Sequence, residues 1–147
     1  MRVAALDVGD RRIGFALADP TGTIVSRTGT LPRTGDEDAD CEAVADLVRE
    51  HSVATLVVGH PVHLSGRVGA QALLVEKFVA CLKEHLKARG LTCGIVLWDE
   101  RLSSVVAAAY LRETGKRGRP RTKGRVDAMA AGVILQGYLE RNADATW

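Results

Sequence analysis

The amino-acid sequence predicts an α/β domain on a five-stranded mixed sheet, an antiparallel three-stranded meander plus two parallel strands, flanked by helices. Three observations lead there. Three short apolar or alternating runs, separated by tight-turn residues, fill the first 30 positions. Two later apolar runs, at 56–58 and 95–98, each follow a segment of helical periodicity, the pattern of strands joined by crossovers. The chain has 147 residues, 46% hydrophobic and 26% charged, which suits a single domain spanning 1–147.

Each element has its own reason. Residues 3–6 form an apolar strand ending at Asp7, and Val8, Gly9, Asp10 and Arg11 make a turn. Ile13, Phe15 and Leu17 alternate with Gly14, Ala16 and Ala18, which predicts the second strand. Asp19, Pro20, Thr21 and Gly22 form another turn, and 23–30, with Ile24 and Val25, the third strand. A loop at 32–35 leads to a helix over 38–50, with Val44, Leu47 and Val48 as its apolar stripe and acids crowding its first turns, where the helix dipole favours them. The run Leu56, Val57, Val58 reads as a strand covered on both faces, ending at Gly59, His60, Pro61. A helix over 68–87 places Leu74, Val75, Phe78, Val79, Leu82, His85 and Leu86 at helical spacing, and Gly90 ends it. The fifth strand, 95–98, runs into Asp99, Glu100 and Arg101. A helix capped by Ser103 or Ser104 extends to about 112, a Gly/Arg/Lys loop covers 115–124, and a last helix covers 125–140 with Val126, Met129, Ala130, Val133, Ile134 and Gly137 inward. Residues 142–147 are expected to form a loose tail.

Composition narrows the function. Mean hydropathy is near zero, and no apolar run approaches the roughly 20 residues of a membrane span. Asp7 comes too early for a signal peptide, so the expectation is a cytoplasmic protein with no membrane partner. Cys41, Cys81 and Cys93 lie far apart with no CxxC, which argues against a disulfide framework and a structural zinc site. Cys41, between Asp40 and Glu42, is expected to be exposed, and Cys81 and Cys93 to belong to the core. Net charge is only +2 but is segregated. Asp36, Glu37, Asp38, Asp40, Glu42 and Asp46 form an acidic block. Arg112, Lys116, Arg117, Arg119, Arg121, Lys123 and Arg125, against Glu113 alone, form a basic one. A basic block favours a polyanion, nucleic acid first; its ordinary reading is a solvated loop.

Three acids stand at telling places. Asp7 ends the first strand, Glu100 lies just past the fifth, and Asp127 sits in the first turn of the last helix. If the first strand is central and the fourth and fifth run parallel to it, the ends carrying Asp7 and Glu100 share an edge, and a helix packed there brings Asp127 beside them. Crowded carboxylates raise each other's pKa values, and a divalent cation removes that penalty. All-oxygen ligands suit Mg²⁺ or Mn²⁺ rather than zinc. Each acid also has an ordinary reading: a turn residue, a surface pair with Arg101, a first-turn acid.

Four stretches carry a resemblance: DVGDRRIGFALADP at 7–20, VVGHPVHLSGRVG at 57–69, WDERLSS at 98–104 and VDAMAAGVILQGYLE at 126–140. As an ordered set they resemble the YqgF family, whose members are described as Holliday-junction-resolvase-like proteins (RuvX) or pre-16S rRNA nucleases. The resemblance spans nearly the whole chain and implies an RNase H-like fold. It implies Asp7, Glu100 and Asp127 as catalytic, metal-binding carboxylates, and phosphodiester hydrolysis with two Mg²⁺ or Mn²⁺ ions about 3.5–4 Å apart. The family loop that carries Leu or Tyr before its Pro, and often Asn beyond, here has His60 and His63. Those histidines are candidate substrate contacts, or solvated loop residues, and Ser104 is a further loop candidate. Asp99 is a fourth acid that strand alternation turns away from its neighbour's side.

With that resemblance the basic residues Lys116, Arg117, Arg119, Arg121, Lys123 and Arg125 become expected phosphate contacts, joined by Arg11 and Arg12 beside Asp7. With few aromatics for stacking, backbone or shape recognition is expected over base reading. The expected activity is a nuclease in 5′-end processing of pre-16S rRNA. Its rivals are a Holliday-junction resolvase acting as a dimer on branched DNA and a non-catalytic nucleic-acid-binding protein. An actin-like ATPase also opens with a DxG turn but needs a second domain. The partner is thus RNA or branched DNA, and the chain a monomer or weak homodimer.

Overall fold

The computed structural model describes residues 2–61, 69–99 and 123–145, with side chains of the last stretch described over 128–142. Strands β1 (Arg2–Val8), β2 (Arg12–Ala18) and β3 (Val25–Pro32) form the meander. Helix α1 (Glu37–Glu50) leads to β4 (Val53–His60), α2 (Ala70–Ala88) to β5 (Gly94–Asp99), and α3 (Lys123–Ala145) follows. The sheet order is β3-β2-β1-β4-β5. The first strand is central, antiparallel to β2 and parallel to β4, and β4 is parallel to β5. The carboxyl ends of β1, β4 and β5 therefore share one edge, as the sequence predicted.

The period of two divides the core cleanly. Ala4, Leu6, Val8, Ile13, Phe15, Leu17, Leu56 and Val58 face α1 and α2. Ala5, Ala16, Ala18, Val57 and Trp98 face α3 through Ala131, Ile134, Leu135 and Leu139. The α3 face is built mostly of alanine, so the helix approaches the sheet closely, and Trp98 meets Tyr138 edge-on with ring centroids 5.8 Å apart.

Several expectations are corrected. The third strand starts at Val25, not 23, because Ile24 belongs to a turn in which its N–H bonds the Asp19 carboxylate (3.1 Å), and its side chain is exposed. Leu74 is exposed, and Ala72 takes a buried position on α2. Helix α3 begins at Lys123 and runs to Ala145, so 142–145 are helical rather than loose tail. Cys41 is fully buried, while Cys81 and Cys93 are only half-buried. The reason is spacing: Cys41, Val44, Ala45 and Val48 fall on one helical stripe, which overrides the acidic neighbours on either side. Burial first, then a hydrogen bond with the Cys81 thiol, pushes the Cys41 pKa far up, so it is an inert core thiol. The helix expected at 103–112 lies outside the described residues.

Candidate active site

Asp7 occupies the next-to-last position of the central strand and is half-buried. Its orientation follows from register. Leu6 aligns with Val58, and Val58 with Leu97, on the α1/α2 face. Asp7 alternates to the opposite face, that of Ala5 and Trp98, where α3 packs. Across the β1–β2 ladder Asp7 is paired with Gly14. On the β4 side the Leu6–Val58 register brings Gly59 beside it, in turn aligned with Trp98. The carboxylate thus has a glycine in each neighbouring strand, and no side chain at either position competes for the space next to it.

The turn after Asp7 is tightly held. Gly9 N–H donates to the Arg12 carbonyl (2.9 Å), and a Cβ on Gly9 would lie 2.9 Å from that oxygen, so glycine is required. Arg33 Nη1 donates to the Gly9 carbonyl (2.9 Å), its Nε donates to Asp40 (2.8 Å), and its guanidinium lies 5.2 Å over the Phe78 ring. Asp40, 2% exposed, also accepts from the Thr34 N–H (3.0 Å) and hydroxyl (2.8 Å). Burial pushes the Asp40 pKa up, but the bonds from Arg33 and Thr34 outweigh it and hold the carboxyl below its usual range. From α2, Gln71 Nε2 donates to the Val8 carbonyl (3.1 Å). In the sequence Asp40 is one of several dipole-favoured acids and nothing local marks this network, since its members come from the loop after β3, the β1–β2 turn and α2.

The predicted residues fare differently. Arg12 lies in β2 on the face of Gly14, Ala16 and Ala18, which is Asp7's face, and Arg11 is exposed in the turn. His60 is not a solvated loop residue. It ends β4, aligned with Asp99 on the α2 face, and meets Glu76 of α2 at 2.7 Å with its side chain 16% exposed. It therefore faces away from the Asp7 side, and so does Asp99. Asp127 is the fifth residue of α3, not in its first turn, because the helix starts two residues earlier than expected; the support from the helix dipole is correspondingly weaker. Lys123 is helical rather than loop, and Arg125 is helical as expected. Glu100, His63, Ser104, Lys116, Arg117, Arg119 and Arg121 lie outside the described residues, as do the side chains of Lys123, Arg125 and Asp127.

The family model for RuvX, described as Holliday junction resolvase, matches residues 1–141. The chain belongs to the RuvX family. Among its relatives, a protein of Thermoanaerobacter pseudethanolicus named "Putative pre-16S rRNA nuclease" is 39% identical over 140 residues, covering 95% of this chain and 96% of that protein. One of the same name from Halalkalibacterium halodurans is also 39% identical, over 142 residues, covering 96% and 97%. Two solved structures share the RuvX chain's fold. T. thermophilus RuvC in complex with Holliday junction substrate superposes with TM-score 0.62 at 13% identity, covering 97% of this chain and 96% of that one. The yeast mitochondrial Holliday junction resolvase Ydc2 gives TM-score 0.65 at 11% identity, covering 98% and 80%. The fold is thus the RNase H-like one that the sequence resemblance implied. Among the described residues no helix is long and apolar enough to cross a membrane.

Proposed function

We propose that this RuvX chain is a divalent-metal-dependent nuclease that hydrolyses phosphodiester bonds in the 5′-end processing of pre-16S rRNA. The observation that carries the reading is Asp7: a half-buried carboxylate at the end of the central strand, between two glycines, on the face against which α3 packs. Position 127 lies in that helix, and position 100 directly follows β5 in the sequence. Asp7, Glu100 and Asp127 are an all-oxygen donor set, and that chemistry fits Mg²⁺ or Mn²⁺. When bound, such ions supply Lewis acidity and an activated water.

The chain's own residues do the rest. Asp7 holds its oxygen at a point fixed by the ladder on both sides. Arg12, on the same face, and Arg11 in the turn pair with phosphate and set the strand's register. Lys116, Arg117, Arg119, Arg121, Lys123 and Arg125 neutralise flanking phosphates, with the last two in the first turn of α3, where the helix end also favours an anion. Relatives carrying the nuclease name support RNA as substrate, and a cytoplasmic location is part of the same proposal. The family description favours a second reading, resolution of four-way DNA junctions by a dimer. A pure nucleic-acid binder gains nothing from carboxylates beside phosphates.

The test compares a pre-16S leader, unrelated single-stranded RNA and a four-way DNA junction, each with Mg²⁺, Mn²⁺ or EDTA. Metal-dependent trimming of the leader, falling to background in Asp7→Asn with the fold intact, is the expected result. Cleavage of the junction alone would transfer the assignment to the second reading, and undiminished hydrolysis by Asp7→Asn would end both.

A further inference from the structure

On the other face of the molecule α1 and α2 run side by side, and their facing edges pair at intervals of four. Asp38, Glu42 and Asp46 of α1 face Cys81, His85 and Arg89 at α2 and its C-terminal end. At the bottom of this ladder Arg89 binds Glu42 (3.0 Å) and Asp46 (2.8 Å), an ordinary ion-pair arrangement. At the top the donors change in kind. Asp38 Oδ1 lies 2.9 Å from His85 Nε2 and 3.4 Å from Cys81 Sγ, and one ligand atom from each of the three residues lies within 4.8 Å of the others. We propose that Asp38, Cys81 and His85 form a transition-metal site, Zn²⁺ in the first place, that cross-links α1 to α2 and is separate from the carboxylate site at Asp7.

Geometry and donor chemistry support this. Zinc bonds of about 2.0–2.3 Å place the ligand atoms of a tetrahedron roughly 3.3–3.7 Å apart, so small rotamer changes suffice. Cys81 and His85, four apart on one helix, project from the same side and chelate without backbone movement. Thiolate plus imidazole selects zinc over magnesium, and water completes the fourth position at this partly exposed surface. The second nitrogen of His85, Nδ1, faces the Glu42 carboxylate at 3.6 Å, and Glu42 is held by Arg89. A carboxylate behind a ligating histidine is the arrangement that fixes which nitrogen is free for the metal. Without metal the hydrogen bond to Asp38 raises the His85 pKa, and burial raises that of Cys81. Both protons must leave on binding, so affinity falls as pH falls. The sequence expectation of no zinc site rests on cysteine spacing; here two of the donors are not cysteines, and Asp38 stands 43 residues upstream of Cys81.

The test is a Co²⁺ titration of the reduced, metal-free, full-length protein. A thiolate-to-cobalt charge-transfer band saturating at one equivalent and lost on adding Zn²⁺ is expected. So is protection of Cys81 from alkylation by Zn²⁺. Cys81→Ser and His85→Ala should lose the band with unchanged far-ultraviolet circular dichroism, Glu42→Gln should weaken binding about 10–100-fold, and Cys93→Ser and Asp7→Asn should retain the band. Absence of a thiolate band, or a band that survives Cys81→Ser, overturns the site whatever the nuclease assays show.

Discussion

Asp40 shows how much one buried residue can hold. Its carboxylate binds Arg33, Arg33 binds the Gly9 carbonyl, and Gly9 closes the turn that follows Asp7. Removing one partner of a buried ion pair leaves the other uncompensated, so Asp40→Ala is expected to cost about 3–5 kcal/mol, read by urea denaturation. The pH dependence follows from sign. The Asp40 pKa is depressed in the folded protein, so its contribution is present above the unfolded value of about 3.9 and is lost as pH falls through the lower folded value. The stability gap between the wild-type protein and Asp40→Asn should therefore be constant near neutrality and shrink below about pH 4. A gap that stays constant into acid would mean that Asp40 acts by shape alone.

Among the elements, α3 joins the two halves of the proposed active site. Its inner face packs on the alanines of β1 and β2, and its first turn holds the end of the basic block. The expectation is that Arg117, Arg119, Arg121 and Lys123 contribute affinity without sequence preference. Changing all four to Ala should weaken binding to all substrates alike and reduce the slope of log K against log salt by roughly 0.7–0.9 for each phosphate no longer neutralised. Filter binding from low to high salt measures it; an unchanged slope would make the segment a solvated connector. The α1–α2 pair illustrates a different property. Its acids read in sequence as a dipole-favoured block, and Asp36 does cap α1 through the Asp38 N–H (3.0 Å). The same acids become partners of α2 only once both helices lie on the sheet.

For the whole molecule, the choice between RNA and junction DNA is one of stoichiometry. Trimming one strand needs one active site, whereas symmetric resolution of a four-way junction needs two. If leader processing is the activity, the rate per protomer should not depend on protein concentration, while any junction cleavage should rise steeply with it at low concentration. Parallel rate series with light scattering check this, and equal concentration dependence on both substrates would point to a preformed dimer.

The strands were legible because alternation is local: Ile13, Phe15 and Leu17 against Gly14, Ala16 and Ala18 assign two faces before any partner is known. Asp7 was legible for the same reason, as a charge at the end of an apolar strand. The order of motifs then carried the family and the fold. Local pattern could not supply what depends on partners distant in sequence. Cys41 is a different case: its stripe with Val44, Ala45 and Val48 is local, and the acids on either side of it mask that stripe. Local pattern ends the fourth strand at Gly59 and His60, whereas pairing with β5 extends β4 through His60 and Glu76 of α2 covers it. It could not see Asp38, Cys81 and His85 as one cluster, because a separation of 43 residues becomes a 3.4 Å approach only when two helices share a sheet face. Periodicity determines which side of an element is buried; which side chains meet across elements is decided by register and packing, and those belong to the folded chain.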